Sequence, residues 1–189
     1  MNRFHNRYCG SEKWKTSMTG EILPWVLEDV ELRGPVLEIG PGPGIVTEAL
    51  VRYGVEDLTT LEIEPGAAEA LRERFGGSVR VTTGDATDMA LPDSEFSTII
   101  CCTMLHHVPT ADGQDAVLRE AYRVLRPGGQ FVGSDSRTGL MMWIYHRFDI
   151  FNPVDPAGFE DRLRTAGFAE VRVDATKGRF RFRAVKAAP

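Results

Sequence analysis

Three carboxylates stand at the ends of apolar runs, and that placement could do chemistry. Glu38 lies in "VLEIGPGPG", Glu62 in "LEIEP" and Asp85 in "GDA". A carboxylate accepts two hydroxyl hydrogen bonds at once, which suits the diol of a ribose. Glu62 lies 62 − 44 = 18 residues beyond Gly44, close to the ~20-residue interval at which an acid grips ribose hydroxyls. Asp85 could accept a bond from an exocyclic amine such as that of adenine. Gly40, Gly42 and Gly44 alternate with Pro41 and Pro43 directly after the first run. Without Cβ, such a loop turns tightly and lets a ligand touch the backbone. It also opens onto a helix N-terminus, where free N–H groups can bond oxygens.

The spacing narrows the ligand. A dinucleotide fingerprint needs GxGxxG/A, but the sixth position is Ile45 counted from Gly40 and Thr47 counted from Gly42. A nicotinamide-linked oxidoreductase therefore fails on the glycines. No Gly-Lys-Ser/Thr loop for a nucleoside triphosphate occurs. The prolines fix φ and remove N–H donors, so the loop offers fewer amides than one built to wrap phosphates. A ligand with ribose and adenine but no phosphate fits better.

These residues need elements to hold them. "VLEI" reads as a buried strand, Ile45 to Tyr53 as a helix, and Leu58 to Ile63 as a second strand. Pro65 opens a helix running to about Phe75, and "VRVTTGD" and "FSTIICC" supply strands three and four. "DGQDAVLREAYRVL" is an amphipathic helix stopped by "RPGG", after which "QFVGSD" is strand five. "DPAGFEDRLRTAG" starts with a capping Asp155 and Pro156, and "EVRVDATKGRFRFRAV" reads as two strands around "TKG". Near the start, Trp14, Met18, Ile22 and Val26 form one helical stripe, and Pro24 should kink that helix or start a new one. Alternating strands and helices predict an α/β fold with a mainly parallel sheet, closed by an antiparallel hairpin.

Composition bounds the class. The 189 residues suit one domain, and 42% hydrophobic with 26% charged residues is ordinary for a globular protein. Net charge is −5, which weighs against a general nucleic-acid binder. Cys9, Cys101 and Cys102 describe neither a disulfide framework nor a zinc site. "MNRFHNRYCGSEKWK" has no apolar signal region, and no run approaches the ~18 apolar residues of a membrane span. A reduced cytoplasmic protein is the expectation.

"VLEIGPGPG", "LEIEP", "GDA", "LHHVP", "VLRPGG" and the terminal "GF…FRF" resemble a class I S-adenosylmethionine-dependent methyltransferase, from about Val36 onward. The resemblance implies a Rossmann-like, doubly wound seven-stranded sheet in the order 3-2-1-4-5-7-6, with strand 7 antiparallel. It implies one domain, residues 1–33 forming a helical lid region over a 34–189 core. It implies S-adenosylmethionine as cofactor, with S-adenosylhomocysteine as product. Gly40, Gly42 and Gly44 would flank the methionine moiety, and Glu38 would help hold its ammonium. Glu62 would take the ribose hydroxyls, Ile63 would pack on the adenine, and Asp85 would take the adenine amine with the Ala86 N–H near the ring. The backbone at Cys102 and Thr103 would help grip the amine. Ser97 stands where many members have Asp, with little effect expected on the cofactor. Metal-binding members carry acids after strands four and five; strand four here ends in "CCT", so no metal is expected.

The acceptor side is less determined. His106 and His107 follow strand four and are either a general base with acceptor contacts or a packing feature. Tyr145 and His146 lie after strand five, where such enzymes often insert substrate-binding structure, and Asp135 ends that strand. His5, Tyr8 and Trp14 belong to a segment that either covers the cofactor as a lid or packs as a first helix. Met141, Met142, Trp143, Ile144, Phe148, Ile150 and Phe151 form core or a greasy acceptor pocket. Cys101 and Cys102 read as buried small hydrophobes. A small-molecule acceptor, no nucleic acid and no membrane span are expected. The other functional class is a fold relative that binds the cofactor or a nucleotide as a sensor or partner module without transferring methyl.

Overall fold

The computed structural model describes residues 10–139 and 150–188. His5, Tyr8, Tyr145 and His146 lie outside the described residues, as do most of the apolar cluster at 141–149 and Cys9. The helical elements are α1 (Glu12–Ser17), a π-helical turn (Met18–Ile22), α2 (Leu23–Val26), α3 (Ile45–Arg52), α4 (Pro65–Phe75), α5 (Ala111–Val124) and α6 (Pro156–Thr165). The strands are β1 (Val36–Ile39), β2 (Leu58–Glu62), β3 (Arg80–Thr83), β4 (Phe96–Cys102), β5 (Leu125–Ser136), β6 (Ala169–Ala175) and β7 (Arg179–Val185).

The strands form one seven-stranded sheet in the order β3-β2-β1-β4-β5-β7-β6. β1 pairs in parallel with β2 and β4, and β7 runs antiparallel to both β5 and β6. Both the expected order and the antiparallel last strand are found. Buried Thr59 and Thr60 in β2 show why the pattern reads as a continuous run: helices cover both faces, and β-branched residues fit the pleat. Local caps agree with this layout. Thr110 accepts the Gly113 N–H at the start of α5, and Asp155 accepts the Ala157 N–H at the start of α6.

Side chains alternate across the sheet, so two cores form. Leu37, Ile39, Ile99 and Phe131 face α5 and α6, meeting Val117, Leu118, Phe159 and Leu163. Val36, Ile100, Cys102 and Val132 face α3 and the N-terminal helices, meeting Val46, Leu50, Met18, Ile22 and Val26. The stripe read in the sequence is thus a core face, while Trp14 is only half-buried at its edge.

Three details differ from the expectation. β5 begins at Leu125, so "RPGG" lies inside the strand, in a ladder whose register shifts between Phe96 and Thr98. Gly128 and Gly129 exchange backbone bonds with Lys186, which is why this turn-like tetrapeptide stays paired. β3 is shorter than "VRVTTGD", leaving Gly84 and Asp85 in the loop beyond it. Pro24 stands in the first turn of α2, one of the two outcomes expected of it, and the unexpected part is the π-turn that joins α2 to α1.

Candidate functional site

β1, β2 and β4 end on one rim, and each delivers its residues there. Alternation along β1 puts Glu38 on the face of Val36, under α3. There its Oε2 accepts the Thr47 hydroxyl at 2.6 Å. Burial pushes the Glu38 carboxyl up to about 7, the Thr47 bond opposes that rise, and the nearby Glu62 charge adds to it. Glu62 is buried, and its two oxygens accept the N–H groups of Gly42 at 3.1 Å and Glu64 at 3.0 Å. Each oxygen keeps a lone pair for a further donor. Asp85 Oδ1 accepts the Thr87 N–H at 2.8 Å, which fixes an exposed carboxylate just beyond β3.

The glycines have distinct jobs. Gly40 has φ +68°, and a Cβ there would stand 2.4 Å from Met104 Cγ. Gly42 has φ +52°, and a Cβ there would meet nothing within 4 Å, because it would project into open space beside Glu62. Gly44, also left-handed, caps the N-terminus of α3. The open space belongs to a cavity of about 780 Å³ lined by Glu38, the glycine loop, Glu62, Ile63, Asp85, Ala86, Cys102, Thr103, His106 and His107. Every sequence-predicted cofactor residue except Gly44 lines it, and Gly44 adjoins it. Trp14 and Met18 line the same cavity from the N-terminal helices. A shallower groove of about 540 Å³ at Pro24, Leu27 and Tyr53 holds none of these groups.

His106 is the buried partner of Asp135. Its Nδ1 lies 2.5 Å from Asp135 Oδ1, and its backbone N–H donates to Oδ2 at 3.2 Å. Both residues are within 2% of full burial. The pair forms because β4 and β5 are neighbouring parallel strands and each ends at the same rim. His107 is half-buried, its ring 4.2 Å from that of His106. Asp135 was legible only as a strand-end acid; adjacency of the strands is the signal that joins it to His106. Thr47 and Met104 carry no motif, and chain folding alone brings them to the site.

The chain matches the family described as "Methyltransferase domain" over residues 37–133. It belongs to that family, the class I S-adenosylmethionine-dependent methyltransferases. A ubiquinone biosynthesis O-methyltransferase of Pseudomonas entomophila (strain L48) is 34% identical over 112 residues, covering 56% of this chain and 46% of its own. One from Pseudomonas putida (strain W619) is 35% identical over 112 residues, covering 56% and 46%. The chain thus spans about half the length of these curated relatives. A Pyrococcus horikoshii OT3 protein has the same fold, with a TM-score of 0.79 at 18% identity, covering 95% of this chain and 94% of that one. A Thermotoga maritima S-adenosylmethionine-dependent methyltransferase, named as a possible histamine N-methyltransferase, superposes with a TM-score of 0.72 at 20% identity, covering 97% and 98%.

The site of this methyltransferase-family chain fits the family's donor. Ile63 is 60% exposed although apolar, and it faces the cavity where a flat ring would cover it. Glu62 and Asp85 set a negative potential, and Glu38 adds to it when ionised, which suits an ammonium and a sulfonium. Cys102 lines the cavity as a protonated thiol, since burial pushes it up to about 12. Ser97, the departure noted above, lies far from the rim and donates its hydroxyl to Pro35 O at 2.9 Å. Among the described residues, no cluster of His, Cys, Asp or Glu could hold a metal ion, and no helix is long and apolar enough to cross a membrane. The comparisons give no support to a purely non-catalytic binding module.

Proposed function

We propose that this chain methylates a hydroxyl of a small-molecule acceptor, with S-adenosylmethionine as donor. One observation carries the reading: a single cavity joins the acid-lined glycine loop to the His106–Asp135 pair. S-adenosylmethionine supplies an electrophilic methyl group for an in-line displacement. The chain's own residues bind and align. Glu62 takes the ribose hydroxyls, and Asp85 the adenine amine. Ile63 and Ala86 border the ring, while Glu38 and the backbone at Cys102 and Thr103 take the ammonium. Gly40, Gly42 and Gly44 keep the floor bare. Asp135 holds His106 in the tautomer whose Nε2 can receive the acceptor's proton, and it stabilises the imidazolium that results. His107 and Trp14 contact the acceptor. The names of the Pseudomonas relatives support oxygen as the acceptor atom. The reading includes one domain, residues 1–33 as a lid over 34–189, acting without a metal in the cytoplasm.

Calorimetry with S-adenosylhomocysteine tests the donor half. The native protein binds it, and Glu62→Ala and Asp85→Ala each weaken binding at least ~10-fold, the loss of a charge-assisted bond pair. Undiminished binding by both variants would sink the reading. For the acceptor half, His106→Ala and Asp135→Asn leave that affinity unchanged but cut S-adenosylhomocysteine release in an acceptor screen by ~100-fold.

A further inference from the structure

β7 reads Arg179, Phe180, Arg181, Phe182, Arg183. Alternation sends Phe180 and Phe182 into the core beneath α6, and it sends the arginines to the face of the N-terminal helices. Two of them are held there. Arg181 bonds Glu28 at 2.6 Å and Asp174 at 3.0 Å, and it lies 5.1 Å from the Trp25 ring centroid. Arg183 donates to the Asp29 carbonyl at 3.0 Å. Arg179 differs. Its half-buried side chain lines the cavity, and among the described residues no carboxylate lies within ion-pair distance of it. Arg74, the other arginine lining the cavity, is already bound by Glu48 and by the Pro43 carbonyl at 2.8 Å.

Sheet order then places charge along the rim. Glu62 ends β2, Glu38 lies one residue before the end of β1, the His106–His107 pair follows β4, and Arg179 begins β7 opposite Ser136, one residue past the Asp135–Phe180 pair. The rim runs from acids, through histidines, to a guanidinium. β4 and β7 are separated by two strand steps, so roughly 10 Å divides the histidine end from the arginine end. Ile150, 46% exposed, adds an apolar wall to the cavity.

The geometry points to a methyl acceptor that carries an oxyanion, a carboxylate or a phosphate, bound by Arg179 while its reacting atom sits at His106. This rests on the reading of the cavity as the methyl-transfer site. The guanidinium fork matches such groups with two parallel N–H bonds. The acids at the donor end repel the acceptor's anion, so the two ends together orient it in one direction.

The test uses the full chain saturated with S-adenosylhomocysteine. Benzoate and decanoate are titrated against benzamide and decanamide, and phenyl phosphate against phenol. At least one anion binds 10-fold tighter than its neutral match, and the pair with the larger preference separates carboxylate from phosphate. Arg179→Gln abolishes the preference, Arg179→Lys keeps part of it, and neither changes S-adenosylhomocysteine affinity. Equal or absent binding of all charged probes overturns the proposal, as does a preference that survives in Arg179→Gln. Failure of S-adenosylhomocysteine itself to bind shows before any probe is added; it overturns the donor site and takes this inference with it.

Discussion

Glu38 is a carboxyl placed where it is costly to ionise until a cation arrives. Its raised pKa means that the folded protein holds this proton more tightly than the unfolded chain does, for which 4.5 is the reference. The resulting stability is full below pH 4.5 and is lost as pH rises through about 7. Glu38→Gln removes that loss. The variant is expected to be more stable than the native protein at pH 8, by at most about 3 kcal/mol, and to show a flatter profile in thermal denaturation between pH 5 and 8. An ammonium beside the carboxylate favours the ionised form. Binding of S-adenosylhomocysteine near pH 6.5 therefore releases up to one proton, visible in calorimetry as a heat that tracks buffer ionisation. Glu38→Gln binds more weakly and releases none.

At the scale of elements, the β1–α3 loop is shaped by the segment after β4. Thr103 adopts φ +53° and donates its N–H to Ser134 O at 2.7 Å, which sends Met104 across Gly40. A left-handed, non-glycine residue is a local cost that the surrounding bonds must offset. Two terms oppose Gly40→Ala: the positive φ, at ~1–2 kcal/mol, and the clash with Met104, at ~1–3 kcal/mol. Only the second can be relieved. Met104→Ala should recover part of the lost stability in the double variant, and a denaturant cycle of the four proteins measures the coupling. Additive effects would show that the two segments do not touch as described.

Across the whole molecule, the N-terminal helices are fastened to the far side of the sheet by Arg181. It joins β7 to the Trp25 carbonyl and to Glu28, more than 150 residues apart in sequence. Since Trp14 and Met18 line the cavity from those helices, this clasp also sets one wall of the site. Arg181→Ala is expected to destabilise the protein by ~1–3 kcal/mol, through the lost bonds to the Trp25 carbonyl and Glu28 and the uncovered Trp25 ring, while Asp174 keeps its bond to Arg172. Amide hydrogen exchange in residues 12–26 should rise by more than in β1, β4 and β5. Uniform protection would mean the helices hold by packing alone.

Much of this was legible from residue order. Period-two apolar runs, turn residues and capping acids mark the strands and helices, because those signals act over a few residues and need no partner. The glycine loop with acids 18 residues and more beyond it pointed to the ligand class for the same reason: the acids stand at strand ends that any parallel sheet brings to one rim. The boundaries at Leu125 and in β3 were not legible, since a strand's extent depends on the neighbour that pairs with it. Nor was the His106–Asp135 bond, the Thr47 contact with Glu38, or the contrast between Arg179 and Arg181. Each depends on residues 9 to 153 positions apart meeting across a face or along an edge. Side-chain type and spacing determine which groups are available, and the packed sheet determines which of them share a space and which are already bonded.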